Sequence, residues 1–271
     1  MDRPLSGLPA ATVVAAVKAN WADFYAHVGR APTAELSIGP SLSWLLTDVP
    51  DPFLNVVFRT DLPSDGLTEI VDGALRHFRS RHIARLSWWA DSSGADPGHH
   101  LLSRGLTFHS SGTAMATDLR SVADTVPTPA GLVVVPVEDR TTLQPWVQVM
   151  SVGFGIPKEA EGRLLELFSS VAVEPPLQTY LALLDGRPVA TSQLFVGAGA
   201  AGIYNVTCLP DARGRGIGAA VTRAPLQEAR RQGCDLAILQ ASRLGYPVYR
   251  RLGFHDYGRI GTYQFVSNER S

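Results

Sequence analysis

The chain reads as an α/β protein of mixed α+β sheets, built as two tandem domains of related plan. Three observations predict this. Strand-like and helix-like segments alternate along nearly the whole length; a polar stretch with two prolines falls near mid-chain; and short runs of sequence recur at an almost constant spacing. Its 271 residues, at about 100 to 200 residues per domain, suit two modest domains. With 45% hydrophobic and 18% charged residues the chain can bury cores, which excludes wholesale disorder.

From the N-terminus, Val14, Val17, Trp21, Tyr25 and Val28 recur at spacings of three and four and predict an amphipathic helix. The apolar run from Leu8 to Val17 has only Arg3 ahead of it and leads into Lys18, so it is read as this helix and not as a signal peptide. A strand over Phe53–Thr60, a helix over Leu67–Ser80, a strand over Arg85–Trp89, a short helix over His99–Arg104 and an extended run over Phe108–Leu119 follow. Paired Trp88 and Trp89 predict one core and one surface or interface residue. The segment between Leu119 and Gly131 carries Pro127 and Pro129 among small and polar residues, which is linker chemistry. The expected division is therefore 1–122, a linker at 123–130, and 131–271.

In the second half, Leu132–Val137 is a strand and Thr142–Ser151 and Lys158–Ser170 are helical. Gln178–Leu184 and Pro188–Val196 form a hairpin about Asp185-Gly186. Gly197–Gly202 leads to a strand over Ile203–Cys208. A glycine-rich loop, Arg213–Gly218, opens a helix that runs to Gly233; a strand covers Leu236–Gln240, a short helix ends near Gly253, and two closing strands follow Phe254 and Ile260. Pro225 predicts a kink in the helix after the loop.

The net charge of -1 provides no global positive field, so nucleic acid is not an expected partner. No apolar stretch approaches the roughly 20 residues that span a bilayer, so neither is a membrane. Two cysteines, Cys208 and Cys234, cannot build a disulfide framework and no metal-ligand spacing is present, which predicts a cytoplasmic protein without a metal. Only Lys18 and Lys158 of the 24 basic residues are lysine, leaving 22 arginines, whose planar forks suit carboxylates and phosphates.

The recurrences pair Asn55-Val56 with Asn205-Val206, and Arg104-Gly105-Leu106-Thr107-Phe108 with Arg251-Leu252-Gly253-Phe254, at offsets of about 146 to 150 residues. Their common order predicts a duplicated domain.

Arg213-Gly214-Arg215-Gly216-Ile217-Gly218 lies between a strand and a helix. Glycines there allow backbone to approach a ligand, and the free N–H groups of the following helix suit a phosphate, with two arginines to pair a diphosphate. A solvated basic turn is the alternative. A dinucleotide fingerprint, Gly214-x-Gly216-x-x-Ala219, is formally present, but too few residues follow to complete that sheet.

Arg213-x-x-Gly216-x-Gly218, then Gly233–Ser242, then Tyr249-Arg-Arg-Leu-Gly253-Phe254 together resemble the acetyl-CoA-binding core of the GNAT superfamily of N-acetyltransferases. The resemblance covers Gly131–Val266 in full and Leu42–Leu119 in degenerate form, implying two tandem GNAT-like domains with the C-terminal one complete. It implies acetyl-CoA as co-substrate, with its pyrophosphate on Arg213, Gly214, Arg215, Gly216, Ile217 and Gly218 and its pantetheine arm along Val206, Thr207 and Cys208. Ser242 stands where the family often has an asparagine that contacts the coenzyme. Tyr249 matches the tyrosine that protonates the leaving thiolate, and backbone N–H groups near Val206 and Thr207 would polarise the acetyl oxygen.

The family's strand-borne glutamate base has no counterpart, since neither Pro188–Val196 nor Ile203–Cys208 holds an acid. Glu174, Tyr204 and Asn205 are the remaining candidates for draining the amine proton, each with a structural reading beside it. Cys208 has no adjacent base to make it a covalent nucleophile. In the first half, Asp61 and Asp65 replace the loop arginines and Ser103 replaces the tyrosine, so one coenzyme per chain is expected, as is cofactor binding by a chain beginning near Pro129 if its newly bared apolar face does not aggregate. The expected activity is direct acetyl transfer to an amine of a small molecule. A protein or peptide acceptor, and a non-catalytic acyl-CoA sensor or scaffold, are the alternatives.

Overall fold

The computed structural model describes residues 9–63, 65–90, 96–123 and 127–266. Part of the expected linker, 124–126, and Ser64 of the acidic loop lie outside the described residues. The elements in order are α1 (Ala10–Val28), β1 (Ala34–Ile38), β2 (Leu42–Thr47), β3 (Val56–Thr60), α2 (Leu67–Ser80), β4 (Arg85–Ala90), α3 (Gly98–Ser103), β5 (Thr107–Asp118), β6 (Leu132–Pro136), α4 (Arg140–Phe154), α5 (Glu161–Ser169), β7 (Leu177–Leu184), β8 (Arg187–Gly197), β9 (Ala200–Cys208), α6 (Ile217–Arg231), β10 (Leu236–Ala241), α7 (Tyr246–Arg251) and β11 (His255–Val266). The β1–β2 hairpin was not expected, and the two expected closing strands are one strand, β11.

Two compact units result, and they do not follow a contiguous cut at 123–130. The first comprises residues up to Ala31 together with Thr113–Gly258; the second comprises Pro32–Gly112 and the residues from Arg259 onward. The chain changes unit within β5 and again within β11. Alternating strand sequences specify which side chains face a core but not which strand lies alongside, so the sequence is silent on this.

The first unit has strand order β5-β10-β9-β8-β7-β6. Residues 113–118 of β5 pair antiparallel with β10, from Thr113–Ala241 to Asp118–Leu236. Helix α6 covers one face, where Ile203, Leu239 and Phe254 cluster with its Leu226 and Ala229. Helices α1 and α4 pack against β8 and β9. Phe24 of α1 stacks on Tyr204 at 4.0 Å between ring centroids, and Asn20 donates to the Gly197 and Ala200 carbonyls at 2.8 and 2.9 Å. Helix α4 opens on a capping box in which Thr142 N–H donates to the Asp139 carboxylate at 2.8 Å.

In α6, helical structure runs unbroken through Pro225. The proline withholds the N–H that would bond the Val221 carbonyl, and the buried Ser192 hydroxyl on β8 donates to that oxygen instead, at 2.7 Å.

The second unit has strand order β1-β2-β3-β4-β11, residues 261–266 of β11 pairing antiparallel with β4. Val71, Ala74, Leu75 and Phe78 of α2 pack with Val57, Leu86 and Trp88. Trp88 and Trp89 are both buried, so neither is the expected surface residue. The order β3, α2, β4, α3 repeats β9, α6, β10, α7. Asn55, however, lies ahead of β3, where it accepts from Thr47 N–H at 2.7 Å and donates to the Val49 carbonyl at 2.8 Å, whereas Asn205 lies inside β9. The matching Asn-Val runs therefore serve different local purposes.

Candidate active site

The parallel ladder between β9 and β10 is short, joining only Ala201 to Ala237 and Gly202 to Ile238. Beyond it each strand keeps its outer partner: Thr207 and Cys208 pair with Thr191 and Ala190 on β8, while Gln240 and Ala241 pair with Ala114 and Thr113 on β5. Two strands held by different neighbours part beyond those pairs and leave a slot between them. Ala200–Ile203 are buried, and Tyr204, Asn205 and Val206 at the slot are half-buried.

A bulge marks the same place. The β8–β9 register runs from Gln193–Tyr204 to Thr191–Thr207, so Asn205 and Val206 together oppose Ser192 alone. Asn205 takes φ +49°, the left-handed region. Below it, Asn205 Nδ2 donates to Gln193 Oε1 at 2.5 Å, Gln193 Nε2 to Thr179 Oγ1 at 2.9 Å, and Thr191 Oγ1 to the Asn205 carbonyl at 2.8 Å. This bulge was missed from sequence; an asparagine inside a strand-forming run was the available signal.

The glycine loop follows β9. Gly214 and Gly216 have φ +75° and +82°, and a side chain at Gly214 would point into open space. Gly216 precedes α6, whose first turn has neither an acidic residue nor a capping side chain. Arg213 Nε donates to the Cys208 carbonyl at 3.1 Å, tying the loop to the end of β9, and a Cβ on Gly218 would stand 3.7 Å from Cys208 Sγ. Uncapped N–H groups, glycine backbone and the Arg213 and Arg215 side chains fit a diphosphate.

Tyr249 of α7 is buried against Phe254, with ring centroids 6.0 Å apart. Burial first, and the Cys208 thiol second, hold its hydroxyl above the usual phenol range, so it is protonated near neutrality. Burial pushes the Cys208 thiol up to about 11 despite Arg213, which leaves it a poor nucleophile. Ser242 follows β10 and accepts from Gly245 N–H at 3.2 Å, helping to shape the turn into α7.

None of the expected base candidates stands free. Tyr204 donates to Asn20 Oδ1 at 2.6 Å, and burial raises its hydroxyl well above the ordinary value. Asn205 is bonded to Gln193. Glu174 is half-exposed and 3.5 Å from Arg30.

In the second unit the matching strands are stitched instead of parted. The β3–β4 ladder joins Val56 to Ser87 and Val57 to Trp88. Beyond it Trp88 Nε1 donates to Thr60 Oγ1 and Thr60 Oγ1 to the Trp89 carbonyl, both at 3.0 Å. Gly66 before α2 has φ +83°, as Gly216 does before α6, but Glu69 sits in the first turn.

A parted parallel strand pair, a bulge beside the gap and a glycine loop on the next helix thus lie together in the first unit. Residues 145–254 match the acetyltransferase (GNAT) family model, and the C-terminal part of the chain is a GNAT domain. Over the whole chain the fold is similar to a GCN5-related N-acetyltransferase from Kribbella flavida, at 20% identity, TM-score 0.66 and 96% coverage of both chains. It is similar to one from Sphaerobacter thermophilus, at 19% identity and TM-score 0.63, covering 97% of this chain and 94% of that one. A tandem GNAT protein from the clavulanic acid biosynthesis pathway matches at 17% identity and TM-score 0.59, over 97% of this chain and 98% of that one. No curated protein sequence matches the chain.

Proposed function

We propose that the chain is an acetyl-CoA-dependent N-acetyltransferase that passes the acetyl group directly to an amine of a small molecule, using one site per chain. The observation that carries this reading is the coincidence of the β9–β10 slot, the bulge at Asn205 and the uncapped glycine loop within one unit. Arg213–Gly218 would hold the pyrophosphate, and Val206, Thr207 and Cys208 the pantetheine arm, with Ser242 near the other wall. When bound, acetyl-CoA supplies an activated thioester carbonyl. Val206 and Thr207 backbone N–H groups are the donors for the developing oxyanion, and Tyr249 gives its proton to the departing thiolate. Among the described residues no side chain is assigned as base, so the acceptor arrives as the neutral amine and the proton it sheds on becoming an amide leaves to water. What supports a small-molecule acceptor is the likeness in fold to a tandem GNAT protein from the clavulanic acid biosynthesis pathway.

Calorimetric titration with acetyl-CoA, followed by thiol release over a panel of amines, amino acids, aminoglycosides and peptides, tests the reading. Expected are one molecule bound per chain and thiol release dependent on a small amine. Release with peptides alone would move the acceptor class, and binding without release over the whole panel would leave an acyl-CoA sensor.

A further inference from the structure

We infer that Gln193 is a positioning residue that acts through Asn205 to hold the β9 bulge in its working shape; the inference rests on the transferase reading above. Three facts converge. Among the described residues Asn205 is one of four non-glycine residues with positive φ, and the one located at the slot. Left-handed backbone is disfavoured for a residue bearing a Cβ, asparagine less than most, so contacts that favour this turn fix its shape. Both residues that flank Ser192, the single residue opposite the bulge, reach across to Asn205: Gln193 Oε1 accepts from its side-chain amide and Thr191 Oγ1 donates to its carbonyl.

Gln193 is itself fixed. It is fully buried, and its own amide donates to Thr179 Oγ1, which in turn donates to the Ala172 carbonyl at 2.7 Å. Every member of this row is satisfied, so the row has one low-energy arrangement, and that arrangement dictates where residue 205 turns. The bulge decides the direction of the backbone N–H groups beside it, where the transferase reading puts the oxyanion donor. Gln193 touches none of the reacting atoms, yet it sets the geometry of those that do.

The test compares acetyl-CoA affinity with amine-dependent kcat in four variants. Gln193→Met keeps side-chain length but loses the acceptor for Asn205; it should bind acetyl-CoA within about twofold of the native chain and lower kcat by about tenfold or more, the order lost with an imperfectly aimed oxyanion donor. Adding Asn205→Gly, a residue that takes the left-handed region without a clamp, should return several-fold of that rate; simple loss of packing would not be repaired this way. Should Gln193→Met fail to fold, Asn205→Ala against Asn205→Gly decides, with the alanine variant expected at least about fivefold slower. Native kcat in Gln193→Met, no recovery in the double variant, or equal rates for alanine and glycine at 205 would overturn the inference while leaving the transferase reading intact. A native chain that turns over no amine would overturn both.

Discussion

Pro225 and Ser192 form a compensating pair: one removes a helix donor and the other, from β8, supplies a replacement to the same Val221 oxygen. Ser192→Ala should destabilise the chain by about 1–2 kcal/mol, the cost of a buried carbonyl left bare. Adding Pro225→Ala should recover most of it by restoring the helical N–H. Urea midpoints measure both, and simple additivity would refute the coupling. Asp51, buried at the turn before β3, has its carboxyl raised from the usual 3.8 to about 6, chiefly by desolvation, against the opposing Phe53 N–H bond and Arg85. A raised carboxyl favours the fold only while protonated. Stability therefore falls as pH rises from about 4 to 6, by about 3 kcal/mol in all. Asp51→Asn keeps an acceptor for Phe53 and removes that penalty, so its melting temperature should exceed the native one at pH 7 and match it near pH 4. Tyr249→Phe should keep acetyl-CoA affinity while kcat drops on the order of 10²-fold. Because the Tyr249 hydroxyl is held above its ordinary range, its deprotonation should cause no fall in rate between pH 7 and 9.

At the scale of elements, the N-terminus of α6 is the proposed docking point for the coenzyme, and its test must separate charge from backbone strain. Gly216 at φ +82° is strained by any side chain. Gly216→Ala should weaken acetyl-CoA binding in part, and Gly216→Glu, which adds a negative charge at the positive helix end, should abolish it in calorimetry with the fold retained. Helix α1 and residues 113–118 of β5 belong to the unit that carries the site. A chain beginning near Pro129 would bare Phe195 and Tyr204, where Phe24 now packs, and strip the antiparallel partner from β10. It is expected to aggregate and bind no acetyl-CoA, contrary to what a contiguous domain cut implies. The glycine loop was legible from sequence because positive φ, positive charge and a helix start are local properties written in adjacent residues. The bulge was not, because Asn205 owes its conformation to Gln193 and Thr191 on another strand. Nor was the Ser192 donor to α6, for the same reason of distance along the chain.

For the whole molecule, the tandem plan was visible in the order of elements, while the membership of the two units was not. Duplication need not duplicate function. Trp88 and Thr60 close the ladder that β9 and β10 leave open, and Glu69 occupies the helix end that α6 keeps clear of acid. Titration should therefore saturate at one acetyl-CoA per chain, and two equivalent sites would contradict it. The change of unit within β5 and β11 also bears on synthesis. The second unit's α2 and β4 leave the ribosome long before residues 261–266, the strand that pairs with β4. Until those residues emerge β4 presents an unpaired edge, so this unit cannot be completed before residues 113–258 have been made. Nascent chains halted before Arg259 should remain protease-sensitive at Arg85, and release of residues through Val266 should confer resistance there.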